Sequence, residues 1–159
     1  MTLPLTFSDE AAMARAEGRP IVALESTIIS HGLPWPKNLE VARQAEEEIS
    51  TAGATPATIA VGGGEIRIGL KREQLHELAS ADDVWKLSRA DLPVALSQGA
   101  LGATTVAATM ICAHLAGIEV FATGSIGGVH RGAEDDFDIS ADLDEFAKTP
   151  VTVVAAGAK

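Results

Sequence analysis

A carboxylate and two amines stand where apolar strands run out. In "RPIVALESTIISHG" the run Ile21–Leu24 reads as a buried strand, and Glu25 follows at once, with hydroxyls at Ser26, Thr27 and Ser30. Lys86 interrupts "VWKLS" between Trp85 and Leu87, and Lys159 follows "VVAAGA" with no acidic neighbour in sequence. A partly buried amine near a second cation gives up its proton more readily and becomes a nucleophile toward a carbonyl or an opened sugar. A carboxylic acid on the same rim would move protons for it. Each residue also has a plainer reading: Glu25 as the first solvated residue beyond its strand, each lysine as an ammonium reaching water over an apolar stem.

Other residues are weaker candidates. His130 and Arg131 follow "GSIGGV" and could meet a phosphate or sugar oxygen; a surface or satisfied core histidine is the alternative for His31, His76, His114 and His130 alike. The stretch "RGAEDDFDISADLDEFAKTP" is rich in Asp and Glu, as a solvated loop and a helix start would be. One or two of its carboxylates could hold a hard cation such as Mg²⁺ or Mn²⁺, and spacing does not select which. No His/Cys cluster suits zinc. The runs "VGGGE" and "GSIGG" match neither the dinucleotide fingerprint nor the phosphate-loop pattern.

The elements that must position these residues alternate between two periods. Ser8 caps a short helix "DEAAMARAEG" that Gly18 stops, the strand 20–24 follows, and "NLEVARQAEEEISTAG" carries apolar residues at helical spacing. "ATIAVGGGEIRIGL" holds two strands around a triple glycine, "KREQLHELASAD" a helix, and "DVWKLS" a strand. "LGATTVAATMICAHLAG" reads as one small-residue helix, "IEVFATGSIGGVH" as a strand, the acidic stretch as a loop ending in a short helix, and "VTVVAAGAK" as a last buried strand. This alternation predicts an α/β fold with a largely parallel sheet covered on both faces. Ligands of such sheets gather beyond the carboxyl ends of the strands, where Glu25, Gly62–Gly64, Lys86, Ser88, Gly124, Ser125 and Lys159 stand.

At 159 residues the chain suits one domain. A net charge of −10 without any clustered Lys/Arg face argues against nucleic acid and anionic membranes as partners. Cys112 is the sole cysteine, so no disulfide forms within the chain. There is no signal-like N-terminus and no apolar run of membrane-spanning length, so a soluble cytoplasmic protein is expected.

The segments "ALESTIISHGLPWPKNLE", "VGGGEIRIGL", "KLSRADLP", "GATTVAATMICAHLAGI", "FATGSIGGVHRGAEDDFDISADL" and "PVTVVAAGAK" together resemble the pseudouridine-5'-phosphate glycosidases, also called the indigoidine synthase A-like family. The resemblance runs from about residue 3 to the last residue, with the chain matching the N-terminal portion of a longer family domain. It implies a three-layer α/β/α sandwich, a homotrimer, and one divalent metal per subunit, usually Mn²⁺. The implied reaction is reversible cleavage of the C–C bond between uracil and ribose 5-phosphate. Glu25 matches the family's proton donor and Lys159 the lysine that forms a Schiff base with the sugar C1'. Lys86, Val106, Ser140, Ala141 and Asp142 match substrate-contacting positions, and Asp138 matches the metal ligand. A sugar-phosphate-binding module that cleaves nothing, or a truncated inactive family member, would carry the same motifs.

Overall fold

The computed structural model describes residues 4–158. Along them run β1 (Leu5–Phe7), α1 (Asp9–Ala16), β2 (Ile21–Leu24), a π-helical turn (Ile28–Gly32), α2 (Lys37–Thr51), β3 (Thr55–Gly62), β4 (Glu65–Ile68) and α3 (Arg72–Ser80). Then come β5 (Trp85–Leu87), α4 (Leu92–Gln98), β6 (Gly102–Thr104), α5 (Val106–Ala116), β7 (Val120–Thr123), α6 (Ala133–Asp136), α7 (Ala141–Phe146) and β8 (Thr152–Ala155). The fold class is the expected one, a mixed α/β structure with a mostly parallel sheet.

The longest strand, β3, explains the layering. Its side chains alternate between faces, as a period of two requires. Ala57, Ile59 and Val61 join Val106, Ala108, Met110, Cys112 and Ala113 of α5 and Leu92 and Ala95 of α4 in one core. Ala60 joins Leu39 and Ala42 of α2 and Leu75, Leu78 and Ala79 of α3 in another. Helices thus cover both faces. Small residues along α5 let that helix lie close to the sheet, and fully buried Phe121 of β7 fills the remaining space, a burial worth about 2–3 kcal/mol.

The sheet forks at β3. Its first half, Thr55–Thr58, pairs in parallel with β2, which pairs in parallel with β7, and β7 with β8. Its second half pairs antiparallel with β4 and, at Ala60 and Val61, antiparallel with β6. Strand β6 pairs in parallel with β5, and β4 with β1. The β3–β4 hairpin turns through Gly63 and Gly64, both at positive φ (63° and 81°), a backbone that favours glycine. At the fork β2 leaves the ladder and β6 takes its place. The chain following β2 must turn outward there, which is why a carboxylate can follow Leu24.

Several expectations are corrected. The segment read as one helix from Leu101 is a strand followed by a helix. The three residues of β6 pair with β3 and β5, Gly102 lies where a Cβ would meet Leu87 Cδ1 at 2.4 Å, and Thr105 caps α5 by accepting from Ala108 N. The strand read over "IEVFATGSIGGVH" stops at Thr123. Strand β8, read as buried, is mostly exposed, with Val154 at 57%, because β7 is its one strand partner among the described residues. Helix α4 and strand β1 were not expected, although α4 carries Pro93 in its first turn and ends at Gly99 in the left-handed conformation (φ 65°). No helix among the described residues is long and apolar enough to cross a membrane.

Candidate functional site

The fork is bolted by hydroxyls. Ser26 Oγ donates to Ile59 O (2.6 Å) and accepts from Thr104 N (2.9 Å); Thr104 Oγ1 donates to the same carbonyl (2.8 Å) and accepts from Thr109 Oγ1 (2.8 Å). All three side chains are fully buried. Neutral groups with complete partners can be buried at little net cost. The cluster fixes two flanking segments relative to each other, since Glu25 precedes Ser26 and Thr105 and Val106 follow Thr104.

Glu25 itself is half-buried. Thr27 Oγ1 donates to its Oε2 at 2.5 Å, and Thr123 Oγ1, from the end of β7, donates to its Oε1. Around it opens a cleft at the carboxyl ends of the strands. One lobe of about 250 Å³ is lined by Glu25, Thr27, Lys86, Ser88, Thr105, Val106, Ser125, Gly127, His130, Ser140, Ala141 and Asp142. A second lobe of about 310 Å³ shares Glu25, Thr27, Lys86 and Ser125 and adds His31 from the π-helical turn. The structure therefore brings Glu25, Lys86, Val106, His130, Ser140, Ala141 and Asp142 to one place. Lys159 lies outside the described residues. Ala158 pairs with Ile126, between the cleft residues Ser125 and Gly127, and Gly157 O accepts from Ile126 N at 3.0 Å.

Two side chains have surroundings the sequence left open. Lys86, at the short strand β5, is exposed and lines both lobes of the cleft. Asp142, matched to a substrate contact, is 7% exposed, with both carboxylate oxygens in use. Its Oδ1 accepts from Ala107 N (2.9 Å) in the first turn of α5, and its Oδ2 accepts from Gly127 N (2.8 Å). It joins the acidic segment to the helix start and to the loop after β7. Gly127 permits this approach, since a Cβ there would meet Ser140 Oγ at 2.1 Å and Asp142 Oδ2 at 2.9 Å.

The acidic segment has a second anchor that the sequence did not reveal. Glu145, 1% exposed, receives a two-pronged bond from Arg89, Nε to Oε2 at 2.8 Å and a terminal nitrogen to Oε1 at 2.7 Å. Thr149 Oγ1 also donates to Oε1. Forked arginine–carboxylate pairs add direction as well as attraction. Asp138 does not line the cleft. Its carboxylate is exposed and lies 2.9 Å from Nδ1 of His130, which does line it. Among the described residues no three His, Cys, Asp or Glu side chains converge on one point. A hard divalent ion that keeps most of its waters needs only one or two carboxylates, and Asp138 fits that mode.

Comparison with known proteins gives this geometry a context. The family model described as "Indigoidine synthase A like protein" matches residues 10–159. A curated relative named pseudouridine-5'-phosphate glycosidase, from Jannaschia sp. (strain CCS1), is 69% identical over 159 residues, which is 100% of this chain and 53% of the relative. One of the same name from Roseobacter denitrificans is 68% identical over 157 residues, 99% of this chain and 51% of the relative. The chain spans about half the length of the curated relatives it matches. Among solved structures, the prealnumycin C-glycosynthase AlnA in complex with ribulose 5-phosphate has a TM-score of 0.89 at 48% identity, over 100% of this chain and 51% of that one. An indigoidine synthase A-like protein of Thermotoga maritima has a TM-score of 0.86 at 31% identity, over 98% of this chain and 50% of that one. The sequence motifs, the forked sheet and the cleft at its strand ends share one origin: the chain belongs to the indigoidine synthase A-like family.

Proposed function

We propose that this chain is the acid-bearing portion of a pseudouridine-5'-phosphate glycosidase, an enzyme that exchanges pseudouridine 5'-phosphate and water for uracil and ribose 5-phosphate. The observation that carries the reading is the convergence of Glu25, Lys86, Val106, His130 and Ser140–Asp142 on one cleft. The names of the relatives at 69% and 68% identity support the substrate, and the ribulose 5-phosphate bound to AlnA supports a pentose phosphate as the ligand class.

A C-glycosidic bond has no leaving oxygen or nitrogen to protonate, so a carboxylate pair of the usual glycosidase kind would leave a carbanion on the base. An amine nucleophile removes that difficulty. Glu25 gives a proton to the ring oxygen as the C1'–O4' bond opens, and the Lys159 amine adds to C1'. Glu25, left as a carboxylate, takes a proton from the new C1'–N ammonium and returns it to uracil C5 as the freed nitrogen lone pair forms the C=N bond and the C1'–C5 bond breaks. Water hydrolyses the imine, releasing ribose 5-phosphate and the free amine. Lys86 and His130 face the anionic parts of the substrate across the cleft, and Lys86 as a nearby cation favours the neutral form of the attacking amine. Asp138 would hold a divalent ion, Mn²⁺ or Mg²⁺, which would supply positive charge to an anionic substrate. The assembly is a homotrimer in this reading.

Borohydride trapping tests the reaction. The protein produced from its whole gene is mixed with ribose 5-phosphate, reduced, digested and analysed by mass. A reduced sugar-phosphate adduct on Lys159, together with uracil release from pseudouridine 5'-phosphate, is the expected result. Saturable ribose 5-phosphate binding with no adduct and no uracil would mean a binding module instead.

A further inference from the structure

The two oxygens of Glu25 face different surroundings. Oε2 and its donor Thr27 are on the cleft side, since Thr27 lines both lobes of the cleft. Oε1 accepts from Thr123, which lines neither lobe and instead borders an adjoining, largely apolar pocket of about 300 Å³ that Glu25 and Gly124 also line, with Leu24, Val41, Ile49 and Ala122 and with Glu48 and Thr58 as its other polar side chains.

Thr123 also has a second acceptor within reach. Its Oγ1 lies 3.3 Å from Ser125 O as well as beside Glu25 Oε1. A hydroxyl has one proton to give and lone pairs to receive. When Glu25 is ionised, Thr123 gives that proton to Oε1. When Glu25 is the acid, the proton it delivers is on Oε2, and Thr123 still donates to Oε1, now the carbonyl oxygen of the group, with the Ser125 carbonyl as the more distant competitor for the hydroxyl proton. Oε1 keeps the same donor in both forms, so the carboxyl group need not rotate as Oε2 loses and regains its proton.

We infer that Thr123 is the positioning residue for the acid of this site, a hydroxyl donor that holds Oε1 in both protonation states and leaves Oε2 to exchange the proton with the substrate. The inference rests on the proposed role of Glu25. Thr123 does not touch the substrate; its effect passes through Glu25, and it therefore belongs to the turnover step rather than to binding.

The test compares Thr123→Val, Thr123→Ser and Glu25→Gln in the protein made from its whole gene, following uracil release from pseudouridine 5'-phosphate. Thr123→Val is expected to lower kcat by about 10- to 100-fold, a typical share of an acid–base contribution, with KM within about twofold of the parent. Thr123→Ser, which restores the hydroxyl, is expected to return kcat to within about fivefold of the parent. Should Thr123→Val fail to fold, Thr123→Ala makes the same comparison against Thr123→Ser. A parental kcat in the apolar variant, an equal loss in the serine variant, or a loss confined to KM would overturn the inference. Glu25→Gln separates the two levels of argument. If it is inactive while Thr123→Val is normal, the positioning role alone is wrong; if it keeps full turnover, the acid role falls and the positioning role with it.

Discussion

The floor and the flap of the cleft are held by opposite kinds of bond. The floor is the hydroxyl cluster of Ser26, Thr104 and Thr109 on Ile59 O, neutral, wholly buried and flanked by β-strands. The flap is the segment from Ile126 to Phe146, held by two buried carboxylates, Asp142 on two backbone N–H groups and Glu145 on Arg89. Neutral bonds in a core fix distances and leave little charge to perturb the cleft. Charged anchors at a rim bind strongly yet keep one end in water, and Arg89 is 53% exposed. Glu25 thus sits on a rigid base, and the residues opposite it, His130 and Ser140, ride on a segment tied at a few points.

Substitutions at the floor should be felt by the whole molecule. Ser26→Ala leaves the buried Thr104 N–H without its acceptor, and a loss of about 2 kcal/mol in global stability is expected from urea unfolding, with exchange protection lowered in β3 and β6. A local effect confined to residues 126–146 would break the contrast. Asp142→Asn keeps one acceptor oxygen and turns an amide toward an N–H donor at the other. About 1–2 kcal/mol of local stability is expected to go, read as faster amide exchange at Gly127 and through α7 with little change in the global midpoint.

Two smaller effects lie outside both regions and calibrate them. Glu46 of α2, half-buried and accepting from Thr58 Oγ1 at 2.6 Å, has its pKa raised from the ordinary 4.5, chiefly by burial. The folded state therefore holds this proton more tightly than the unfolded chain. Its contribution to stability is full below the unfolded pKa and fades as pH rises through the higher folded value. Glu46→Gln should raise the free energy of unfolding at pH 7 by about 0.5 kcal/mol, read from urea unfolding, the difference vanishing toward pH 4. Cys112 is fully buried in α5, and burial pushes its thiol up to about 12. It should stay unmodified by a thiol reagent at pH 8 in the native protein and react only after unfolding.

Much of the sheet could be read from the sequence because local signals agree there. The run Ile21–Leu24, the glycine turn at Gly63–Gly64 and the helical spacing of Leu39 and Ala42 each point to the element observed. Strand β6 was hidden because Gly102–Thr104 is short and runs into a small-residue helix; only its partners Ala60, Val61 and Trp85 make it a strand. In the site, Glu25 was conspicuous as a charge after an apolar run. Thr123 and Arg89 were not, because their meaning lies in partners 98 and 56 residues away. The structural duty of Asp142 was hidden for the same reason: its acceptor bonds reach back 35 residues to Ala107.

The shared strand β3 also bears on how the chain finds its register. Its hairpin with β4 closes over two residues and forms on the order of microseconds, long before β6 can arrive from more than 40 residues downstream. A slip of one residue in that hairpin would turn Ile59 and Val61 toward α2 and α3 and carry the Ile59 carbonyl away from Ser26 and Thr104. The hydroxyls would then be buried without partners, at a cost of about 1–3 kcal/mol for each unsatisfied group. The native register alone therefore satisfies the hydroxyls that flank Glu25.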